Sequence, residues 1–336
     1  MDTVNQSHTH HWANSSVAEC RELHLQHVKL SPYAHDIEAE TIAWMHAFGL
    51  IPDPCYLEKV RRMAVWGYAG FSHPFASYEQ LLLYSKYITL WLLWDDLVME
   101  KETDLNDILN GVASAFRWAD EPLQEQDQYI RAWRSIIDGY KNLGVSSHYI
   151  ARLRRKMMTW VRTVASENHS IYVKGQVSPW VHLRRRLITI GVIPTAQLID
   201  VDIADMDQLP AARRVVMVAS AIVAMVNELV SVEKDADRVN LVVLIQNWYG
   251  CNFESAYDCV IGMCRAELAK LPGLVQALPA GLQAWGVLMQ HMAEGFSYWH
   301  FVCPRYDHKR IACRLPFALP EVVRSPTGVA AVVTLA

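Results

Sequence analysis

Three carboxylates lie together at the end of an otherwise apolar stretch, residues 91–100. In a helix Asp96 and Glu100 share one face, and Asp95 lies about 100° around the axis from Asp96. Adjacent carboxylates repel one another, and burying them is costly unless a cation is present. Because Mg²⁺ prefers hard oxygen ligands, this cluster predicts a magnesium site. The same residues also suit a helix end that is simply exposed to solvent.

A second set of oxygen-bearing side chains recurs every four residues at Asn227, Ser231 and Asp235. This spacing keeps an amide, a hydroxyl and a carboxylate in one stripe about 12 Å long on a helix. The stripe follows the apolar run 215–226, so we expect it to begin where a buried helix ends. It could hold a hard cation. The alternative is a helix leaving the core for solvent, with Glu228 and its charged neighbours exposed.

The two motifs in this order, a DDxxxE cluster and an NxxxSxxxD stripe about 130 residues later, resemble the class I terpene cyclases of bacterial and fungal type. The resemblance implies that both motifs bind Mg²⁺, three ions in all, around the diphosphate of a substrate, with Mn²⁺ as an alternative metal. The residues that match the metal ligands are Asp95, Asp96, Glu100, Asn227, Ser231 and Asp235. Asp235 stands where the family usually has glutamate, so its carboxylate is one methylene shorter.

Basic and phenolic residues that match the family's diphosphate contacts lie near the C-terminus. Arg305 and Tyr306 follow Trp299, like the family's Trp…Arg-Tyr ending, and Lys234 matches the basic residue before the last metal ligand. A guanidinium group makes planar, two-pronged contacts with phosphate, and tyrosine adds a neutral donor. The resemblance therefore assigns Lys234, Arg305 and Tyr306 to diphosphate binding.

The segment 183–194 resembles the family's region in which one arginine senses diphosphate and a carbonyl at a nearby helix break helps ionisation. Alignment on residues 189–192 puts Leu187 at the arginine position, whereas alignment on Leu183 makes Arg185 the sensor. A one-residue bulge would reconcile the two. Arg185 and Arg186 are both candidates, and an ordinary basic helix surface is the alternative.

Helical periodicity dominates the elements that must position these residues, and it predicts one all-α domain. The expected helices include 33–48, 55–66, 77–99, 179–204, 209–235 and 252–270, with a break over Gly67, Gly70 and Pro74 and a loop at 271–273. The resemblance implies a class I terpenoid synthase-like helical bundle around a central apolar cavity. We expect a disordered segment over 1–30, the cyclase domain over 31–315 and a C-terminal tail over 316–336.

Composition and charge exclude several other classes of protein. A net charge of −4 in 336 residues gives no basic field for nucleic acid. The apolar run 215–226 is too short to span a bilayer, so no membrane span is expected. The seven cysteines form no CxxC pair, which indicates reduced thiols. The first 30 residues lack the apolar stretch of a signal peptide, so we expect a cytoplasmic monomer or homodimer.

The reaction that the resemblance implies is loss of diphosphate to leave an allylic cation, which then attacks its own double bonds. Such a cation must be kept from water, and aromatic faces can stabilise it. Trp91 lies one helical turn before Asp95, Tyr87 lies one turn further back, and Trp299 precedes the Arg-Tyr pair. We predict that these three aromatics line the cavity, although core packing would also explain them.

Two competing functions share this scaffold. A prenyl diphosphate synthase needs a second DDxxD motif, which the chain lacks. A non-catalytic helical binding protein is the other alternative, and the irregular arginine segment and Asp235 are the features in its favour. For a cyclase, the size of the chain favours farnesyl diphosphate as substrate, by analogy with the family, over geranyl or geranylgeranyl diphosphate.

Overall fold

In the computed structural model of the protein, the described residues are 23, 25–95, 105–117, 127–167, 177–196, 198, 209–234, 239–303, 305–306 and 321–322. The helices of these residues are α1 (Asp36–Ala47), α2 (Pro54–Arg62), α3 (Val65–Ser72), α4 (Tyr78–Trp94), α5 (Leu105–Ala115), α6 (Gln128–Asn142), α7 (Ser147–Glu167), α8 (Pro179–Thr189), α9 (Val192–Ala196), α10 (Pro210–Ser231), α11 (Leu241–Tyr249), α12 (Phe253–Gln276) and α13 (Ala280–Val302). Two two-residue strands, β1 (Lys29–Leu30) and β2 (Glu321–Val322), pair in parallel. The predicted all-α class is confirmed.

Helix α10 lies at the centre of the bundle and packs against α8, α9, α11, α12 and α13. Its middle, from Ile222 to Val226, is buried on every side, because nearly all of its residues are small or apolar. By length and composition α10 could cross a membrane, but 72% of its most apolar window is buried inside the protein. Such burial is typical of a core helix, as the apolar run 215–226 predicted.

Helix α4 ends directly before Asp95, the first carboxylate of the predicted cluster. It begins with a capping box, in which Ser77 Oγ accepts from Gln80 N at 3.2 Å and Gln80 Oε1 accepts from Ser77 N at 3.1 Å. Its buried face includes Tyr84, Tyr87, Trp91 and Trp94 and packs against α1, α3 and α6. The start predicted at Ser77 is confirmed, and the described part of the helix ends at Trp94.

The predicted break over Gly67 and Gly70 is wrong, since both glycines lie inside α3. The chain breaks earlier, at Ala64, whose φ of 45° is left-handed. A Cβ on Gly70 would lie 2.6 Å from Ala34 Cβ, so this glycine allows the preceding segment to pack closely on α3. Tertiary contact therefore explains a glycine that sequence alone assigns to a turn.

The loop predicted at residues 271–273 is also wrong, because α12 continues through Pro272 to Gln276. Proline inside a helix removes one hydrogen bond and costs about 3 kcal/mol. Leu271 and Val275, on either side of it, are both buried. Burial of this face against α13 outweighs the cost of the proline.

The segment that precedes β1 is attached to α13 by one buried carboxylate. Glu294, 4% exposed, accepts hydrogen bonds from the backbone N–H groups of Gln26 and His27 at 2.6 and 2.7 Å. Its other oxygen lies 2.7 Å from His27 Nδ1, and His291 Nδ1 lies 2.6 Å from the His27 carbonyl oxygen. Residues 26 and 27 are thus held to the bundle, while the domain boundaries stay a prediction.

The attachment of His27 is expected to depend on pH. The hydrogen bond to Glu294 raises the pKa of His27 above its ordinary 6.5, against the effects of partial burial and of Lys29. A raised pKa stabilises the fold fully below the unfolded-state value, and this stabilisation is lost as the pH rises through the folded-state value. We expect His27→Asn to lower the free energy of unfolding more at about pH 5.5 than at about pH 8.5, measured by urea denaturation. An equal loss at both pH values would contradict this assignment.

Candidate metal and diphosphate site

The structure describes three of the six predicted metal ligands. Asp95 directly follows α4, is half-buried, and continues the helical backbone through hydrogen bonds to Trp91 and Leu92. Asn227 and Ser231 lie in the last turns of α10. Asp96, Glu100 and Asp235 lie outside the described residues. The metal-binding roles of all six stay a prediction.

The side chain of Asn227 connects α10 to two of the predicted diphosphate-binding residues. Its Oδ1 accepts from Arg186 Nη2 at 2.5 Å, and its Nδ2 donates to the Tyr306 hydroxyl at 3.2 Å. Ser231, one turn further along the same face, is 3% exposed, with its hydroxyl 3.5 Å from Asn240 Nδ2. Residues that are 41 and 79 positions from Asn227 are therefore brought to one side chain.

A buried ion pair holds Arg186 beside Asn227. Glu228, 3% exposed, accepts from Arg186 Nε at 2.7 Å, and its other oxygen lies 3.0 Å from His182 Nε2. Burial by itself would raise the pKa of Glu228, but the charge of Arg186 and the bonds from His182 and the Leu241 N–H outweigh it and hold the pKa at about 2. Glu228 is therefore a carboxylate throughout the physiological range.

The other predicted diphosphate residues differ in position. Arg185 is half-buried on α8, one residue before Arg186, and Lys234 is exposed in the turn after α10. Arg305 N donates to Cys303 Sγ at 3.4 Å. Burial raises the pKa of the Cys303 thiol to about 12, while Arg305, Arg62 and Lys234 act against that rise. The charges of Arg305, Arg62 and Lys234 therefore all act on the Cys303 thiol.

Helices α8 and α9 are separated by a sharp break at Gly191, whose φ is +78°. Instead of the one helix predicted over 179–204, α8 ends at Thr189 because only glycine adopts this conformation readily. The Trp91 ring packs directly on Gly191, where a Cβ would lie 1.2 Å from Cη2. Trp160 packs against the Trp91 ring, with the two ring centroids 5.2 Å apart. Its Nε1 donates to the Thr189 carbonyl at 2.9 Å.

The three predicted cavity aromatics are all tightly packed. Tyr87 is fully buried and donates to Met157 Sδ at 3.0 Å, and Trp91 is 5% exposed. Trp299 Nε1 donates to the carbonyls of Met63 and Ala64, at 3.2 and 3.1 Å, which ties α13 to the break before α3. Their role as cavity lining stays a prediction.

A cavity of about 220 Å³ opens between α7 and the α8–α9 break. Three basic side chains of α7 and the apolar residues of the break surround it: Arg152, Arg155, Lys156, Thr159, Trp160, Ile188, Ile193 and Pro194. It meets the predicted aromatics only through Trp160, the neighbour of Trp91. Its lining thus combines three basic side chains with four apolar residues.

Sequence reasoning missed the buried residues behind Asn227. Glu228 was considered only in the alternative of a helix leaving the core, where it would be exposed, and that alternative does not describe it. His182 was not considered, although its spacing of four from Arg186 puts His182 and Arg186 on one face of α8. Asn240 caps α11 by accepting from Val242 N at 2.9 Å, and its Nδ2 donates to the Glu228 carbonyl at 2.9 Å. The polar face of α8 was the available signal for this network.

The described ligands fit a hard divalent cation. Asn227 and Ser231 supply an amide oxygen and a hydroxyl from one face of α10, the donor types that Mg²⁺ accepts. The Asn227 oxygen already accepts from the Arg186 guanidinium group, so a metal ion there would have to share this oxygen with Arg186 or displace it. Within the described ranges no group of three or more His, Cys, Asp or Glu suits a metal. The further carboxylates of the predicted site, Asp96, Glu100 and Asp235, lie outside the described residues, and their binding of metal stays a prediction.

Comparison with known proteins gives a consistent set of relatives. The family model described as terpene synthase family 2, C-terminal metal binding, matches residues 86–270, more than half of the chain. The terpene cyclase braA of Annulohypoxylon truncatum is 20% identical over 83% of this chain and 82% of its own length. A (+)-T-muurolol synthase of Roseiflexus castenholzii, named as cyclising (2E,6E)-farnesyl diphosphate, is 23% identical over 85% and 90%.

Solved structures share the fold at low sequence identity. The 2-methylisoborneol synthase of Streptomyces coelicolor, in complex with Mg²⁺ and 2-fluoroneryl diphosphate, is similar with a TM-score of 0.74 at 17% identity, over 87% of this chain and 99% of that one. A hedycaryol synthase in complex with nerolidol gives a TM-score of 0.65, also at 17% identity, over 82% and 96%. These likenesses support the all-α architecture of the bundle.

Proposed function

We propose that this chain, which belongs to terpene synthase family 2 and is thus a lyase, ionises farnesyl diphosphate with the help of Mg²⁺ and cyclises the resulting cation. Loss of a proton from the cyclised cation then gives the neutral sesquiterpene. The observation that carries the proposal is the contact of Asn227, from the second metal motif, with Arg186 and Tyr306. Each of the three is predicted to serve either the metal or the diphosphate. Their meeting at one point supports a single site for both.

In this proposal Asp95, Asp96 and Glu100 would hold the metal together with Asn227, Ser231 and Asp235. Bound Mg²⁺ supplies Lewis-acid stabilisation of the charge that develops on the leaving diphosphate. Arg186 presents a guanidinium group fixed in orientation by Glu228, and Tyr306, a residue that is 7% exposed, presents its hydroxyl. Donors held in place before the reaction stabilise developing charge without having to reorganise.

The buried aromatics support a role in excluding water. Trp91, Trp160 and Tyr87 form edge-to-face contacts below the end of α4, with ring centroids 5.2 and 6.3 Å from Trp91. Aromatic faces stabilise cations, and a packed apolar wall keeps water from a reactive carbocation. The residues therefore suit a reaction whose intermediate must not be hydrolysed.

The proposed C15 substrate rests on two relatives whose names specify farnesyl diphosphate, one of them a corvol ether synthase of Kitasatospora setae at 22% identity. We expect the purified chain, incubated with Mg²⁺ and geranyl, farnesyl or geranylgeranyl diphosphate, to convert the farnesyl substrate fastest to a cyclic C15 product detected by gas chromatography and mass spectrometry. A preference for another chain length would contradict the substrate assignment. No product from any of the three, with folded protein, would overturn the proposed function.

A further inference from the structure

Glu228 is a junction between three helices. Its carboxylate accepts from Arg186 on α8 at 2.7 Å and from the Leu241 N–H at the first turn of α11 at 2.5 Å, and lies 3.0 Å from His182 on α8. The residue itself belongs to α10. At 3% exposure it is too buried to meet a substrate, so any effect that it has on the reaction must pass through a neighbour.

Arg186 is the neighbour that can transmit such an effect. Its Nε donates to Glu228, its Nη1 donates to Thr189 Oγ1 at 3.2 Å, and its Nη2 donates to Asn227 Oδ1 at 2.5 Å. These contacts use three of the five N–H groups of the guanidinium and fix the plane of the fork. The bond from Nε to Glu228 joins two opposite charges, whereas the other two acceptors are neutral oxygens. It is therefore the strongest of the three and sets the direction in which Nη2 points.

The charges explain why a carboxylate is needed behind the arginine. Arg186 donates to Asn227 Oδ1, the oxygen that is predicted to bind a divalent cation. The guanidinium group and the metal ion are both positive, so they would repel each other at this oxygen. Glu228, at low dielectric and in direct contact, offsets the charge of Arg186. The arginine and the metal-binding stripe can then lie side by side before a diphosphate arrives.

We propose that Glu228 is a positioning residue: it holds the Arg186 guanidinium group on Asn227, so that Arg186 and Asn227 act as one unit in binding diphosphate with its metal. This inference rests on the proposed function of the site. Residues that orient ligands from behind cost roughly 10–100-fold in affinity or activity when they are changed. The same range is expected for Glu228.

The test measures binding of inorganic pyrophosphate with Mg²⁺ to the full-length protein by isothermal titration calorimetry. Glu228→Gln is expected to weaken this binding by about 10–100-fold. Because Glu228 acts through Arg186, the same change in an Arg186→Ala background is expected to have little further effect. Glu228→Asp keeps the charge and is expected to bind better than Glu228→Gln.

Glu294→Gln is the matched control, because Glu294 is an equally buried glutamate whose bonds go to residues 26 and 27. It is expected to lower the melting temperature and leave pyrophosphate binding unchanged. If Glu228→Gln does not fold, Glu228→Asp is used in its place. Its shorter side chain moves the carboxylate away from Arg186, so pyrophosphate binding is expected to be weaker than in the wild type.

Two results would overturn the inference. One is a Glu228 variant that loses stability yet binds pyrophosphate like the wild type, and the other is an equal loss of affinity with and without Arg186. Both leave the proposed function intact. A wild-type protein that binds no pyrophosphate in the presence of Mg²⁺ would instead refute the proposed function itself.

Discussion

Replacement of Asn227 by alanine is expected to lower the turnover of a prenyl diphosphate by at least about 100-fold, in line with the loss of one preorganised electrostatic contact. The change removes the oxygen predicted to bind metal and also the partner of Arg186 Nη2 and of the Tyr306 hydroxyl. Loss of those hydrogen bonds is expected to cost about 1–3 kcal/mol of stability. The measurements are steady-state kinetics and, for retention of the fold, circular dichroism.

Asn252→Ala is the matched control for this prediction. Asn252 caps α12 through a hydrogen bond from Ser255 N at 2.8 Å and is exposed. Its loss is expected to cost about 1 kcal/mol and to leave turnover unchanged. Asn227→Asp keeps an oxygen in place and is expected to retain more activity than Asn227→Ala. Wild-type turnover in the alanine variant would contradict the assigned role.

Replacement of Gly191 by alanine is expected to lower the free energy of unfolding by about 2–5 kcal/mol. Part of this loss comes from the left-handed backbone at φ +78°, which disfavours alanine. The rest comes from the collision of the new Cβ with the Trp91 ring, 1.2 Å away. The ring cannot move easily because Trp160 lies against it. Turnover is expected to fall by up to about 100-fold as well, since Trp91 precedes Asp95 by one turn. Chemical denaturation and kinetics measure the two effects.

Gly250→Ala separates the two parts of this cost. Gly250 also has a left-handed φ of +63°, but a Cβ there meets nothing within 4 Å. It is therefore expected to lose only about 1–2 kcal/mol. Trp91→Phe shortens the ring that collides, so the Gly191→Ala/Trp91→Phe double variant is expected to lose less than the sum of the single changes. Equal losses at Gly191 and Gly250 would contradict the packing argument.

The helices that depend on local signals were predicted well from sequence. Ser77 starts α4 through a capping box with Gln80, three positions further on, and the apolar run 215–226 forms the buried middle of α10. Step-four spacing correctly puts Asn227 and Ser231 on one face of α10. Such features involve residues close in sequence, so pattern and propensity are sufficient to find them.

The features that sequence did not predict depend on contacts between distant residues. Gly70 lies inside a helix because Ala34 packs against it, and Pro272 is tolerated because its neighbours are buried. Glu228 is buried only because Arg186 and His182, more than 40 residues away, satisfy its charge. A charged residue beside Asn227 gives no local sign of that partnership.

The choice between Arg185 and Arg186 also depends on contacts between distant residues. From sequence both Arg185 and Arg186 were candidates, since one alignment puts Arg185 at the arginine position and the other puts Leu187 there. The structure places the Arg186 side chain on Asn227 and Glu228. Arg186 is therefore the stronger candidate for diphosphate contact, and its role can be tested independently of that of Arg185.

The central claim is that this chain ionises a prenyl diphosphate with a divalent metal. It is tested most directly by incubating the purified protein with farnesyl diphosphate and measuring released inorganic diphosphate and the C15 product together. The account predicts that both form in equal amounts with Mg²⁺ and that neither forms when EDTA removes the metal. Folded protein that releases no diphosphate, or that releases it equally well in EDTA, would contradict the account.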